Sequence, residues 1–175
     1  LRITDGAGKE IISWTSGNRD SVKVSVTPED GYQNLKYSFD ENGNLHVGGL
    51  FHDKEYTLTE TKPADGYVTA EAITYMLKQK VAEDGTVTSV VNIKQKDGTY
   101  LEQEDDKTVM KDGQTHIQLL KLDKKTGQAL GGAKFIVMDS KGNEVMEFVT
   151  KDDAYDITGK LVVGETYTFK ETSAP

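Results

Sequence analysis

The sequence contains no cysteine, which excludes disulfides and thiolate metal sites and leaves any covalent reinforcement to other chemistry. It has no long apolar run. The longest are a few residues, such as Phe135-Ile136-Val137-Met138, whereas a bilayer span needs roughly 20 apolar residues, so no membrane insertion is expected in this segment. It is short of cations, with 21 Lys and Arg against 29 Asp and Glu and a net charge of −8. A nucleic-acid partner needs clustered Lys and Arg on one face, so that class is excluded. Helical periodicity is nearly absent, and the one helical candidate, Thr69 to Ala72, is too short to shape the fold. The three histidines, His46, His52 and His116, have no metal-type spacing, and the acidic run Glu102–Asp106 lacks the ordered spacing of a calcium loop. Neither a metal nor a cofactor is expected. No Ser-His-Asp order, phosphate-cradling glycine loop or hydrolase carboxylate pair can be defended from spacing. No signal peptide opens the chain, because Leu1-Arg2-Ile3-Thr4 already reads as a strand; the expectation is mature protein, or a fragment of one.

What the sequence does have is alternation. Val22-Lys23-Val24-Ser25-Val26, Tyr56-Thr57-Leu58-Thr59, Val87-Thr88-Ser89-Val90 and Tyr167-Thr168-Phe169-Lys170 read as half-buried strands. Between such runs lie Asp5-Gly6, Glu41-Asn42-Gly43-Asn44, Glu83-Asp84-Gly85, Asp97-Gly98 and Ser140-Lys141-Gly142-Asn143, turn sequences in which glycine supplies positive φ. Many short strands with frequent turns predict an all-β sandwich or partly open barrel. Hydrophobic residues at 35% supply cores, but small ones.

An internal repeat organises these strands. Leu1–Ser16 aligns with Phe135–Thr150 at an offset of 134, matching Asp5, Gly8 and Glu10 to Asp139, Gly142 and Glu144, Ile11 to Val145, and Trp14 to Phe148. Leu50 and Tyr56–Thr61 align with Leu161 and Tyr167–Thr172 at an offset of 111, so the first copy carries 23 more residues between the blocks. That addition covers about Asn18 to Asp40 and reads as an inserted hairpin. The first copy continues through strands at Ile73–Gln79 and Val87–Ile93 to a last one near Thr108–Lys111. The second opens with Thr115–Leu122 and Gly131-Gly132-Ala133-Lys134. The division is therefore residues 1–113 and 114–175. The first module is expected to lack its first strand and the second its last, as in a window cut from a longer array. Trp14 is expected to pack in the core.

These blocks resemble the CnaB/SpaA-type, prealbumin-like domains of Gram-positive pilins and adhesins. Leu119-Leu120-Lys121-Leu122-Asp123-Lys124-Lys125-Thr126-Gly127 with Leu130-Gly131-Gly132-Ala133 looks like the family's first strand and following turn, and Lys141-Gly142-Asn143-Glu144-Val145 like its next hairpin. Tyr56–Tyr67 and Tyr167–Pro175 look like its Glu-containing box, and Val109-Met110-Lys111-Asp112 like its closing strand. In one departure, Lys62-Pro63-Ala64 stands where the second copy has Ser173-Ala174-Pro175.

The resemblance implies tandem Ig-like, prealbumin-like β-sandwich modules, each joined by an autocatalytic isopeptide bond from a first-strand Lys to a last-strand Asp or Asn, with a Glu as catalytic acid. The matching residues are Lys121 as amine and Glu171 as acid in the second copy, and Glu60 as acid and Asp112 as acceptor in the first. The missing partners, a Lys for the first module and an acceptor for the second, are expected outside these residues. Lys121 is not expected to join Asp112, because parallel first and last strands need a long connection and only residues 113–120 separate the two.

Lysine has an ordinary pKa of about 10.4, so its free amine is scarce. Burial disfavours charge on amine and carboxyl alike, which lets a neutral amine, acceptor and acid coexist. The implied role is a stalk module, outside the cell and wall-anchored, whose partners are its neighbouring modules and which is not an enzyme beyond its own crosslinking. Two other classes stay open: a module binding a host extracellular-matrix protein or glycan through Asn18–Asp40, where Tyr32, Tyr37 and Phe39 supply aromatic contacts or core packing, and an accessory domain of a secreted hydrolase.

Overall fold

A computed structural model of the chain describes residues 1–104 and 107–175. Among the described residues it is all-β, with a single 3₁₀ turn at Pro28–Asp30. Two compact units emerge, one of Leu1–Lys62 with Ala70–Lys111, the other of Pro63–Thr69 with Asp112–Pro175.

In the first unit, strands β1 (Arg2–Asp5), β2 (Glu10–Thr15), β3 (Asn18–Val24), β6 (Glu55–Thr59), β7 (Ile73–Val81), β8 (Val87–Lys94) and β9 (Tyr100–Glu102) form one antiparallel sheet in the order β3-β2-β1-β6-β7-β8-β9. Strands β4 (Lys36–Phe39) and β5 (Leu45–Gly48) make a separate ribbon. The two-residue period decides the inner face: along β6, Tyr56 and Leu58 are buried while their neighbours are only partly so. Ile3, Ile12, Tyr75 and Val91 join them, and Leu45 and Val47 of β5 pack against this cluster.

Residues 18–40 pair in two directions. β3 extends the large sheet beside β2, whereas β4 pairs with β5. Pro28 and Gly31, the latter at φ 91°, separate the two, and the carboxylate of Asp30 accepts the Thr27 N–H at 2.9 Å. Gly49 allows the chain to turn tightly after β5. It sits at φ 87°, and a Cβ there would lie 2.1 Å from the Asn34 carbonyl oxygen.

In the second unit, β11 (Lys134–Met138) lies between β12 (Glu144–Val149) and β14 (Thr168–Ser173), and β10 (Gln118–Leu119) pairs with β13 (Tyr155–Asp156). Val137, Phe148, Ile157 and Leu161 form the core, with Ile117, Leu119 and Phe169 packed against it. Phe148 stacks between Phe135 and Tyr155, with centroids at 5.6 and 4.3 Å. The loop Pro63–Thr69 is held here by Val68 N–H to Gly113 O at 2.8 Å and Thr115 N–H to Gly66 O at 2.9 Å.

The repeat extends to the register of the ladders. Ile3 faces Ile12 and Leu58 in β2 and β6, and Val137 faces Met146 and Phe169 in β12 and β14. The β1–β2 and β11–β12 ladders each carry a bulge at the same step, between Ile3 and Thr4 and between Val137 and Met138. The bulge residue on the second strand is Ile11 in one copy and Val145 in the other. Ile11 is fully buried while Val145 is 47% exposed. The cluster around Ile11 includes Val26 and Tyr32, which belong to the addition that the second copy lacks.

Three sequence expectations are corrected: Asn18–Asp40 is not an inserted hairpin, because β3 pairs with β2 and β4 with β5. Thr69–Ala72 is not helical, and the N–H of Ala70 is instead taken by the Glu60 carboxylate at 2.8 Å. Thr108–Lys111 forms no ladder among the described residues, although Met110 packs against the core. Of the acidic run Glu102–Asp106, the last two residues lie outside the described residues.

A repeated tyrosine closes the loop before the Glu-containing strand. The N–H of Phe51 donates to Tyr56 Oη at 2.9 Å, and that of Val162 to Tyr167 Oη at 3.1 Å. Removing either hydroxyl leaves a partly buried N–H without its acceptor. Tyr56→Phe and Tyr167→Phe are each expected to destabilise the chain by about 1–3 kcal/mol. Hydrogen exchange should show the loss in the substituted unit, with Phe51 or Val162 the amide most affected, and unchanged protection at both would refute the role.

Candidate crosslinking site

Lys121 owes its position to the strand before it. Ile117 and Leu119 pack into the core, whereas Leu120 and Leu122 are 48% and 49% exposed. Alternation therefore turns Lys121 toward the same side as Ile117 and Leu119. Its backbone is anchored by the Leu130 N–H, which donates to the Lys121 carbonyl at 2.9 Å. The turn that brings Leu130 back is built on Asp123, whose Oδ1 accepts the N–H groups of Lys125 and Thr126 at 2.9 and 2.7 Å. Those bonds, Thr126 first, hold the Asp123 carboxyl below the usual aspartate range. Gly127, at φ 71°, completes the turn. The sequence motif contained Asp123 and Leu130, but their positioning roles became visible only in the structure.

Glu171 reaches the same place from β14, two residues after the core-packed Phe169 and opposite Phe135 of β11. Lys121 Nζ lies 2.6 Å from Glu171 Oε2, and the two side chains are 29% and 30% exposed. The contact is short and charge-assisted. It places an amine against a carboxyl that can accept its proton, the first requirement for making the amine nucleophilic.

In the first unit Glu60, at the position matching Glu171, is partly buried just past β6 and accepts the Ala70 N–H. Asp112 falls in the second unit, is exposed and outside any strand, and makes no hydrogen bond or ion pair among the described residues. Trp14 is half-buried and packs against the first core, as Phe148 does in the second. The histidines stand apart: His46 lies 3.5 Å from Asp40, His52 bonds Ser89, and His116 bonds Thr158. Among the described residues no group of three or more His, Asp or Glu side chains is arranged to hold a metal.

With this geometry in view, residues 11–97 and 115–175 match the SpaA domain family, described as a prealbumin-like fold domain. The chain belongs to this SpaA family. Among solved structures, it is similar to the shaft pilin SpaA of Lactobacillus rhamnosus GG and to a single-substitution mutant of that pilin. Identity is 21% in each case, at a TM-score of 0.29. The alignments cover 79% of this chain and 59% of the wild-type or 60% of the mutant pilin. The chain thus spans less than two thirds of those pilins. No curated protein matches it.

Within this SpaA-family chain the Lys121–Glu171 pair adds little to equilibrium stability, because both groups keep contact with water. Glu171→Gln is expected to shift unfolding free energy by less than about 1 kcal/mol. Denaturant titration checks this, and a loss well above that would mark the pair as a stabilising ion pair first.

Proposed function

We propose that the chain is a structural stalk segment of a Gram-positive cell-surface pilin or adhesin, outside the cell and anchored to its wall. Its two modules, residues 1–113 and 114–175, are reinforced by intramolecular Lys–Asp or Lys–Asn isopeptide bonds. The observation that carries this reading is the 2.6 Å approach of Lys121 Nζ to Glu171. Membership of the SpaA family supports it.

In the second module Lys121 Nζ attacks the side-chain carbonyl carbon of an Asp or Asn on the module's last strand. Glu171 takes the proton that the amine sheds. It returns it to the departing oxygen or nitrogen as the tetrahedral intermediate collapses, so that one water or one ammonia leaves and an amide remains. The first module uses Glu60 in the same role and Asp112 as acceptor. Each site turns over once, so the chain is not an enzyme toward an outside substrate. Folding supplies proximity, worth roughly 7–11 kcal/mol of the barrier. A covalent tie suits a stalk, because a small domain held by only about 5–15 kcal/mol opens under load. Its partners are the neighbouring modules of the same protein.

The reading as a binding module for a host protein or glycan draws less support. Of its aromatics, Tyr32 is 8% exposed against Phe51, and Phe39 lies under the Arg19 guanidinium; Tyr37 remains, at 45% exposure.

Intact mass of a polypeptide extended by one strand at each end tests the proposal. It should fall by ~18 Da for each Asp-type bond and ~17 Da for each Asn-type bond, since condensation expels water or ammonia. Glu60→Ala and Glu171→Ala should each abolish the loss in their own module. Full mass in the unsubstituted polypeptide would contradict it.

A further inference from the structure

One strand edge of the second unit lies open. In its three-stranded sheet β12 pairs with β11 on one side and, among the described residues, with no strand on the other. Thr150 N–H donates to Ala133 O at 2.8 Å and Gly132 N–H to Thr150 O at 2.8 Å, so Thr150, with Phe148 two residues before it, turns its backbone groups toward β11. The alternate residues, Glu147, Val149 and Lys151, direct theirs to the open side. Their side chains share the face opposite the buried Phe148. Val149 is 46% exposed, and Glu147 and Lys151 are exposed and form no hydrogen bond or ion pair among the described residues.

The first unit fills the same edge from within. At the offset of 134, Glu147, Val149 and Lys151 match Ser13, Thr15 and Gly17, none of which carries a charge or a large apolar group. There the added strand β3 takes the edge of β2, with Lys23 opposite Ser13 and Asn18 opposite Thr15. The second copy has no counterpart of β3 in its sheet. Strands after the Glu-containing strand do not take this edge either, because in the first unit β7 adds beside β6, on the far side of β1 from β2.

We infer that the open edge of β12 is a self-association surface whose partner is the same edge of a second copy of this chain. The stretch Glu147-Phe148-Val149-Thr150-Lys151 is self-complementary when run antiparallel. A two-fold axis at Val149 sets the two Val149 side chains against each other and places Glu147 of each copy opposite Lys151 of the other. Opposite charges facing across a strand pair favour it, and like charges oppose it. An axis at Glu147 would face two carboxylates, so charge selects the register centred on Val149. The contact is isologous and closes at a dimer. It also covers backbone groups that would otherwise stay open to any passing strand. The inference rests on the second unit alone, and its failure would leave the stalk reading as it stands; within a stalk, the contact joins neighbouring copies side by side.

Sedimentation of the 175-residue chain over a concentration series tests it. So short a ladder buries far less than the ~1,200 Å² of a standard interface, and dimers, with nothing larger, are expected toward about millimolar chain. Glu147→Lys and Lys151→Glu should each weaken the dimer about tenfold or more, because both cross-strand pairs then face like charges. Mixing the two variants should restore it, since every pair between unlike chains is again opposite in charge, and that recovery also shows both variants to be folded. Amide shifts that grow with concentration should fall at residues 147–151 and leave residues 13–17 unmoved, and added salt should weaken the dimer. A monomer at every concentration, association untouched by either charge reversal, or a mixture no better than its components overturns the inference.

Discussion

The contact between Lys121 and Glu171 is the interaction from which the functional account follows, and it is a product of several independent local decisions. Alternation after Ile117 aims the lysine inward, the Asp123 turn returns Leu130 to fasten its backbone, and the β14 register puts Glu171 opposite Phe135. Any one of these could have served the fold alone. Together they bring a long cation and a carboxylate to 2.6 Å with most of each side chain removed from solvent. Because both groups keep contact with water, the pair is a weak stabiliser at equilibrium. Under the proposed function its value is chemical, because a carboxyl beside an amine is a proton acceptor held where condensation would need one.

Repetition shows which features the fold requires and which were added. The β-bulge, the tyrosine hydroxyl over a loop amide and the Glu after the hydrophobic pair recur in both copies at constant offsets. The difference between buried Ile11 and exposed Val145 tracks the extra residues that contribute Val26 and Tyr32 to the first core. In the first unit β4 takes one edge of β5. The addition therefore enlarges the first core and supplies the strand that pairs with β5.

Much of this was legible in the sequence because a two-residue period and a gapless 134-residue offset both survive folding without reference to distant partners. Tyr56 and Leu58 point inward as alternation demands, and the matched blocks share their register. Partner choice was not legible. Residues 18–40 read as a hairpin because two alternating runs flank a turn, yet β3 and β4 pair with different strands, a matter of sheet edges that local pattern does not encode. Strand β9 was hidden by its brevity, although Asp97-Gly98 marked the turn that leads to it. The helix suggested at Thr69–Ala72 yielded to a long-range carboxylate, Glu60, that claims one of its N–H groups. At the site, alternation put Lys121 on the same side as Leu119 without burying it, and the encounter with Glu171 depended on tertiary packing.

Peptide mapping reaches the central claim most directly. In the chain extended through the last strand of its second module, trypsin digestion and fragmentation should yield a branched peptide with Lys121 as the branch point and no cleavage after that residue. The branch should vanish in Glu171→Ala while the fold persists. Complete cleavage after Lys121, with only linear peptides recovered from folded protein, would contradict the assignment of this pair to amide formation.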